Sequence, residues 1–230
     1  MHDVRRILGE HFLLKHLLPA DLDRLAQMSA IRFYKSGEPV FLKGDPGTAM
    51  MAVLSGRVRI CSYSAEGREV VLNVISPGEV FGEIALIDGG ERTADAFAQE
   101  ATELLILTRR DFLPCLADNP EVCIRLLEVM CQRLRWTSEQ LEDVNFLDLR
   151  CRLAKRLVYL WDHHRDEASN GKARGVRIQQ HTLAAMIGTS REAVNKQLRS
   201  WEVDGMIDLG RGLITVLDRS RLERIVAETL

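Results

Sequence analysis

The 230-residue sequence lacks any apolar run approaching the roughly 18 residues that a membrane helix requires. Behind Arg5 and Arg6 there is neither a sustained apolar stretch nor a small-residue cleavage site. No export signal is therefore read, no membrane is expected, and the expected location is the cytoplasm. Cysteine is sparse and unpatterned. Cys61, Cys115, Cys123, Cys131 and Cys151 are odd in number and never fall in C-x-x-C spacing, which argues against a disulfide framework and against zinc. Cys123 and Cys131 lie eight apart on a predicted helix and can share a face, although small apolar side chains packed in a helix explain them as readily. His163-His164 sits in a polar segment without spaced partner ligands, so a metal site there has little support. Internal repeats, low-complexity tracts and a nucleophile–base constellation are also missing, and no enzymatic activity is expected.

What is present is the composition of an ordinary globular protein, long enough for one large domain or two smaller ones. The net charge of −2 conceals an asymmetry: residues 1–146 carry −6 and residues 147–230 carry +4. Such a split is a weak cue that the second part meets a polyanion.

Residues 17–26 have helical spacing. From Ile31 to Leu107 the texture changes to short apolar segments, Val53-Leu54, Val58-Arg59-Ile60, Val70 to Ile75 and Leu104 to Leu107. Glycines at 37, 44, 47, 56, 67, 78, 82, 89 and 90 punctuate them. Many short strands with regular turn signals predict a β-sandwich or barrel. After Asp118-Asn119-Pro120 the chain reads as helix to about Trp161, with a break expected near 145–148. Leu127, Met130, Leu134, Leu141 and Val144 form an a/d seam over nearly three heptads, which predicts a partner helix. The missing seam position is Thr137. Residues 166–175 read as a polar loop, followed by two short helical patterns broken at Gly188 and a tight hairpin at Gly210-Arg211-Gly212.

Two segments carry chemistry. Phe81-Gly82-Glu83-Ile84-Ala85-Leu86, followed by Glu91-Arg92-Thr93-Ala94, offers a guanidinium and a hydroxyl for a cyclic phosphodiester and a carboxylate for a ribose hydroxyl. Glycines at 82, 89 and 90 permit close backbone approach. Taken by themselves, these pairs suit a surface salt bridge about as well. In Leu183 to Leu198, residues 183, 187, 194 and 198 can pack two short helices together across a turn at Gly188. Ser190 can cap the second helix, leaving Arg191, Glu192, Asn195 and Lys196 at its exposed start. Arginine suits guanine and glutamate suits cytosine, although a charged helix face without a DNA role is the plainer alternative.

The first segment resembles the phosphate-binding cassette of the Crp/FNR family of transcription regulators, in its cyclic-AMP receptor branch. Tyr34 to Phe41 and Leu54 to Val58 are similar to the family's early β-roll turns, and Arg133 to Glu139 with Phe146-Leu147-Asp148 to its long dimer helix. Ser190-Arg191-Glu192-Ala193-Val194 resembles its recognition helix, and Gly205-Met206-Ile207 with the hairpin its wing. The resemblance implies an α+β fold: a cyclic-nucleotide-binding β-roll (jelly roll) over 1–118, a dimerisation helix over 119–147 and a winged helix-turn-helix over 148–230. It implies a ligand, cyclic AMP or alternatively cyclic GMP, held by Ile60, Leu72, Gly82, Glu83, Ile84, Ala85, Arg92, Thr93, Arg133, Thr137 and Ser138. Glu83 would take the ribose 2′-hydroxyl, Arg92 and Thr93 the phosphate, and Arg133 would brace Glu83. Thr137 would reach the base from its own subunit and Ser138 from the partner. The Thr137 hydroxyl both donates and accepts, so it serves adenine or guanine. Implied DNA contacts are Gln179, Gln180, Ser190, Arg191, Glu192, Asn195 and Lys196 on a palindromic TGTGA-like site. Implied partners are double-stranded DNA, a second copy of the chain and RNA polymerase.

Three departures stand out. The cassette loop is one residue shorter than in the cyclic-AMP receptor branch, Thr93 stands where serine is also common, and Lys196 replaces an arginine. A redox or gas sensor of the same family would need a thiolate cluster, and residues 1–60 contain no cysteine. A regulator that has lost ligand control is disfavoured by the joint presence of Glu83, Arg92, Thr93, Thr137 and Ser138.

Overall fold

The computed structural model describes residues 4–11, 13–166 and 175–227. The chain divides into two compact units, Met1–Arg135 and Trp136–Leu230. The dimer helix expected over 119–147 is thus shared between the two units.

In the first unit, α1 (Val4–Glu10), a 3-10 turn (Leu14–His16) and α2 (Pro19–Met28) precede the strands. Pro19 occupies the first turn of α2, where its missing N–H costs nothing, so the helix starts two residues later than the spacing of 17–26 suggests. Then follow β1 (Ala30–Tyr34), β2 (Pro39–Phe41), β3 (Ala49–Ser55), β4 (Val58–Tyr63), β5 (Glu69–Ile75), β6 (Val80–Phe81), α3 (Glu83–Asp88), β7 (Asp95–Ala98) and β8 (Thr102–Thr108). The unit closes with α4 (Arg109–Asp118) and α5 (Pro120–Phe146) up to Arg135. Two antiparallel four-stranded sheets form, in the orders β1-β8-β3-β6 and β2-β7-β4-β5.

The period-2 alternation of a strand assigns the core. Ala49, Met51 and Val53 of β3 join Val58, Ile75, Phe81, Ala96 and Leu104 between the sheets. Their neighbours Met50 and Ala52 point the other way, into a layer with Leu8, Leu14, Leu25, Phe112, Val122 and Leu126 from the helices. Because β3 is covered on both faces, it reads as a continuous apolar run rather than an alternating one. Asn119 fixes the helical layer at the start of α5. Its Oδ1 accepts from the Leu18 N–H at 2.8 Å, and its Nδ2 donates to Asp21 and to the Cys115 carbonyl, both at 2.6 Å.

The second unit takes the rest of α5, then α6 (Leu149–His164), β9 (Arg165–Asp166), β10 (Gly175–Arg177), α7 (Gln180–Met186), α8 (Arg191–Val203), β11 (Ile207–Gly210), β12 (Leu213–Val216) and α9 (Arg219–Ala227). The break between α5 and α6 falls where the sequence predicts it, and Asp148 caps α6 by accepting from the Cys151 N–H at 2.7 Å. Strands order β11-β12-β10-β9, and the 210–212 hairpin turns through Gly212 at φ 71°. Where α5 meets α6, Trp136 and Tyr159 lie 4.4 Å apart with the buried Arg156 guanidinium 4.6 Å over the indole. Burial lowers the Arg156 pKa to about 10, against the opposing pull of Tyr159 and Asp143. The polar loop expected over 166–175 lies, apart from its ends, outside the described residues, as do the side chains of His163 and His164. All five cysteines are free. Among the described residues no helix is long and apolar enough to cross a membrane.

Candidate functional site

The cassette begins where β6 ends. Gly82 sits at φ 77°, a left-handed conformation that suits glycine and that turns the chain directly into α3. This places Glu83 at the first position of α3, fully buried. Burying a carboxylate is costly unless it is paired. The partner is Arg133 of α5, whose Nη1 forms the ion pair with Glu83 and whose Nη2 donates to the Val80 carbonyl. Beyond that ion pair, neither Glu83 oxygen has a hydrogen-bond partner among the described residues.

Arg92 is the second buried charge, 5 % exposed. Its Nη1 donates to the Gly82 carbonyl at 2.8 Å and its Nη2 to the Ala49 carbonyl at 2.5 Å. The guanidinium carbon lies 4.2 Å from the centre of the Phe41 ring, while the Nε–H meets no acceptor among the described residues. Burial pushes the Arg92 pKa down, and the carboxylates of Glu83 and Asp45 push it back up; a guanidinium stays protonated regardless.

The loop between β2 and β3 holds the cassette from outside. Arg92 N–H donates to the Asp45 carbonyl at 2.8 Å and Gly44 N–H to the Arg92 carbonyl at 2.9 Å. Gly47 presses so closely on α3 that a Cβ there would stand 2.0 Å from that of Ala85. Asp45, Gly47 and Phe41 were not among the residues expected from sequence. Gly44 and Gly47 were visible as turn glycines, but nothing local indicates which distant segment they touch.

The other expected ligand contacts are distributed as follows. Ala85 is buried, Ile84 and Thr93 are exposed, and Ile60 is half-buried on β4. Pairing of β4 with β5 shifts between Ile60–Asn73 and Cys61–Val71, which leaves Leu72 as the extra residue of a β-bulge, 46 % exposed. A bulge re-aims the residue it releases. The structure thus brings Gly82, Glu83, Arg92 and Arg133 into one connected group. Thr137 and Ser138 belong to the second unit, where both are exposed on α5.

In the second unit, α7 and α8 pack through Leu183, Ile187, Val194 and Leu198, all buried. Gly188 turns between them at φ 67°, and Ser190 caps α8 by accepting from the Ala193 N–H at 3.2 Å. Arg191, Glu192 and Lys196 are exposed and Asn195 is half-buried. The Glu192 carboxyl is held below its usual pKa by its own backbone N–H and by the Ser190 hydroxyl. Gln179, Gln180 and Arg191 line a cleft of about 310 Å³ against the β11–β12 hairpin. Among the described residues no three His, Cys, Asp or Glu side chains are arranged to hold a metal.

Comparison with known proteins agrees with this division. Residues 31–119 match the model of the cyclic nucleotide-binding domain, and residues 151–225 match that of the Crp-like helix-turn-helix domain. The chain is 37% identical over 213 residues to the cyclic AMP receptor protein of Thermus thermophilus, covering 93% of this chain and 95% of that one. It is 32% identical over 212 residues to a CRP-like cAMP-activated global transcriptional regulator of Mycobacterium tuberculosis, covering 92% and 89%. Among solved structures, a CRP/FNR family transcriptional regulator from Thermus thermophilus matches at 27% identity with a TM-score of 0.69, over 87% of this chain and 100% of that one. These relatives are regulators of transcription rather than enzymes. With both domains matched and a relative at 37% identity over nearly its whole length, the chain belongs to the Crp/FNR family, as a cyclic-nucleotide-binding transcription regulator.

Proposed function

We propose that this protein is a homodimeric, cyclic-AMP-responsive regulator that recognises a palindromic TGTGA-like site. The observation that carries the reading is a pair of buried polar groups with unspent hydrogen-bonding capacity, both adjoining Gly82. They are the Glu83 carboxylate, which has no hydrogen-bond partner among the described residues beyond its ion pair with Arg133, and the Nε–H of Arg92. A cyclic nucleotide supplies both complements in one fused ring system, a 2′-hydroxyl for the acid and an anionic phosphodiester for the guanidinium. In this reading Thr93 adds a hydroxyl to the phosphate, and backbone from Gly82 to Ala85 approaches the sugar. Ile60 and Leu72 border base and sugar, Thr137 takes the base edge, and the partner's Ser138 completes it. Cyclic AMP is preferred over cyclic GMP because relatives at 37% and 32% identity are named for it.

Residues 1–118 then act as sensor, 119–147 as dimer helix and 148–230 as reader. A ligand seated between sensor and dimer helix becomes part of the subunit interface, so it can bias one packing of the helices over another. Gln179, Gln180, Ser190, Arg191, Glu192, Asn195 and Lys196 meet DNA, and RNA polymerase is the expected further partner in the cytoplasm.

Calorimetric titration with cyclic AMP and cyclic GMP tests the site. Arg92→Leu removes a charge-assisted bond of about 1.5–3 kcal/mol. Affinity should therefore fall by about tenfold or more. Unchanged affinity in a folded Arg92→Leu protein would remove Arg92 from the site.

A further inference from the structure

We infer that Phe41 is a positioning residue for ligand binding: its ring holds the Arg92 guanidinium in the place and orientation from which it grips the cyclic phosphate. The inference rests on the reading that Arg92 takes the phosphate and adds to it a residue outside the cassette.

Phe41 ends β2, where pairing with β7 slips by one residue between Pro39–Phe97 and Phe41–Ala96. Such an irregularity turns a side chain out of its regular alternation. The ring is half-buried and is itself backed by Phe81, the residue before Gly82, at 5.8 Å between centres. It also meets the Arg92 guanidinium carbon, 4.2 Å from the ring centre. That is well inside the roughly 6 Å over which the ring quadrupole attracts a cation.

A guanidinium has five N–H donors in a plane, and its faces have none. A ring whose centre lies 4.2 Å from the guanidinium carbon attracts the cation without accepting from any of its five donors. Two donors go to the Gly82 and Ala49 carbonyls, which anchor the group. The Nε–H is left without an acceptor while buried, and the Nε edge is one of the forked edges with which arginine binds phosphate. An arginine parked against its ligand would have spent this edge on protein acceptors. Here it is kept open, as in a preformed site.

Without the ring, the long side chain regains rotamers, and only the fraction still in this position is competent to bind. Apparent affinity falls in proportion to that fraction. Loss of an exposed-to-buried cation–π bias corresponds to a factor of between about twofold and thirtyfold.

The test is titration of the full-length protein with cyclic AMP across a graded series at position 41. Phe41→Leu keeps apolar bulk without a quadrupole, and Phe41→Tyr keeps the quadrupole. Replacement of Phe41 by pentafluorophenylalanine keeps the ring outline and reverses its quadrupole. Affinity should weaken by about twofold to thirtyfold for the leucine and fluorinated proteins and stay within about twofold for tyrosine. In an Arg92→Leu background, Phe41→Leu should produce no further loss. If the leucine protein does not fold, the fluorinated ring decides the matter, because its shape is unchanged. Equal affinity throughout the series, alongside a loss in Arg92→Leu, would overturn the role of Phe41 and leave the phosphate site intact. Tighter binding in Phe41→Leu would overturn it too, by showing that the ring restrains Arg92 from the ligand. A flat response in Arg92→Leu itself would instead refute the phosphate site on which this inference stands.

Discussion

Glu83 and Arg92 are both buried, and neighbours offset the cost of that burial: Arg133 for the acid, two carbonyls and an aromatic ring for the guanidinium. His11 resolves the same problem differently. Buried beside the N-terminal helices, it is lowered to a pKa of about 4 by desolvation, opposed only in part by a hydrogen bond with the Gly78 backbone. Its Nδ1 accepts from the Leu13 N–H at 3.3 Å, a contact that needs the unprotonated ring nitrogen. Because the folded pKa lies below the unfolded value of 6.5, the unfolded chain binds a proton in this window that the folded chain does not. The His11 contribution is complete above pH 6.5 and is lost as pH falls toward 4. Over that interval it amounts to about 3 kcal/mol at most. Urea denaturation at pH 7 and pH 4.5 should show a smaller loss of stability for His11→Gln than for the parent protein. Identical losses would mean that His11 takes up its proton in the folded state.

Much of the element-level architecture was legible because period and punctuation agreed. The short apolar segments at 53–54, 58–60, 70–75 and 104–107 all fall in strands, and the break near 145–148 separates α5 from α6. None of α1, α3, α4 and α9 was expected from sequence, and for two of these the physical reason is plain. α3 has six residues, too few turns for a period to register, and its start is set by the φ of Gly82. α4 contains Pro114, which breaks the usual pattern of a helix interior. In the site, Glu83 and Arg92 could be found because their chemistry lies within ten residues. Phe41, Asp45 and Gly47 could not, since what joins them to Arg92 and Ala85 is a fold that returns the chain some forty to fifty residues later. On α5, Val122, Leu126 and Val129 are buried in the first unit, whereas the seam residues Leu127, Leu134, Leu141 and Val144 are 54–69 % exposed. A stripe of exposed leucines at heptad spacing is stable when a second helix covers it. Leu134→Asp combined with Leu141→Asp would place charges in that interface at a cost no partner offsets. Sedimentation should show monomers for this double variant; an intact dimer would move the interface elsewhere.

Across the whole molecule, an acidic stretch over residues 1–146 precedes a basic one over 147–230, the part in which the proposed DNA contacts lie. Paired recognition helices on a two-fold dimer meet half-sites about one helical turn apart. Each half-site should present a guanine to Arg191 and a cytosine to Glu192, with looser preference at Lys196, whose ammonium lacks the fork of arginine. Arg191→Ala should cost about 1–3 kcal/mol on the specific duplex and flatten preference at one base pair. On random DNA, where phosphate contacts dominate, the loss should be much smaller. Competition at a single salt concentration distinguishes the cases, since equal losses would make Arg191 a phosphate contact.

In the proposed function, cyclic AMP bound at Glu83 and Arg92 changes affinity for DNA. The most direct measurement is the affinity of the full-length protein for a palindromic TGTGA-like duplex, with and without saturating cyclic AMP, in the parent protein and in Arg92→Leu. Cyclic AMP should tighten binding by the parent protein by about fivefold or more, the lower end of ordinary allosteric coupling, and Arg92→Leu should need about tenfold or more nucleotide for the same effect. Equal affinity of the parent protein with and without the nucleotide would contradict it.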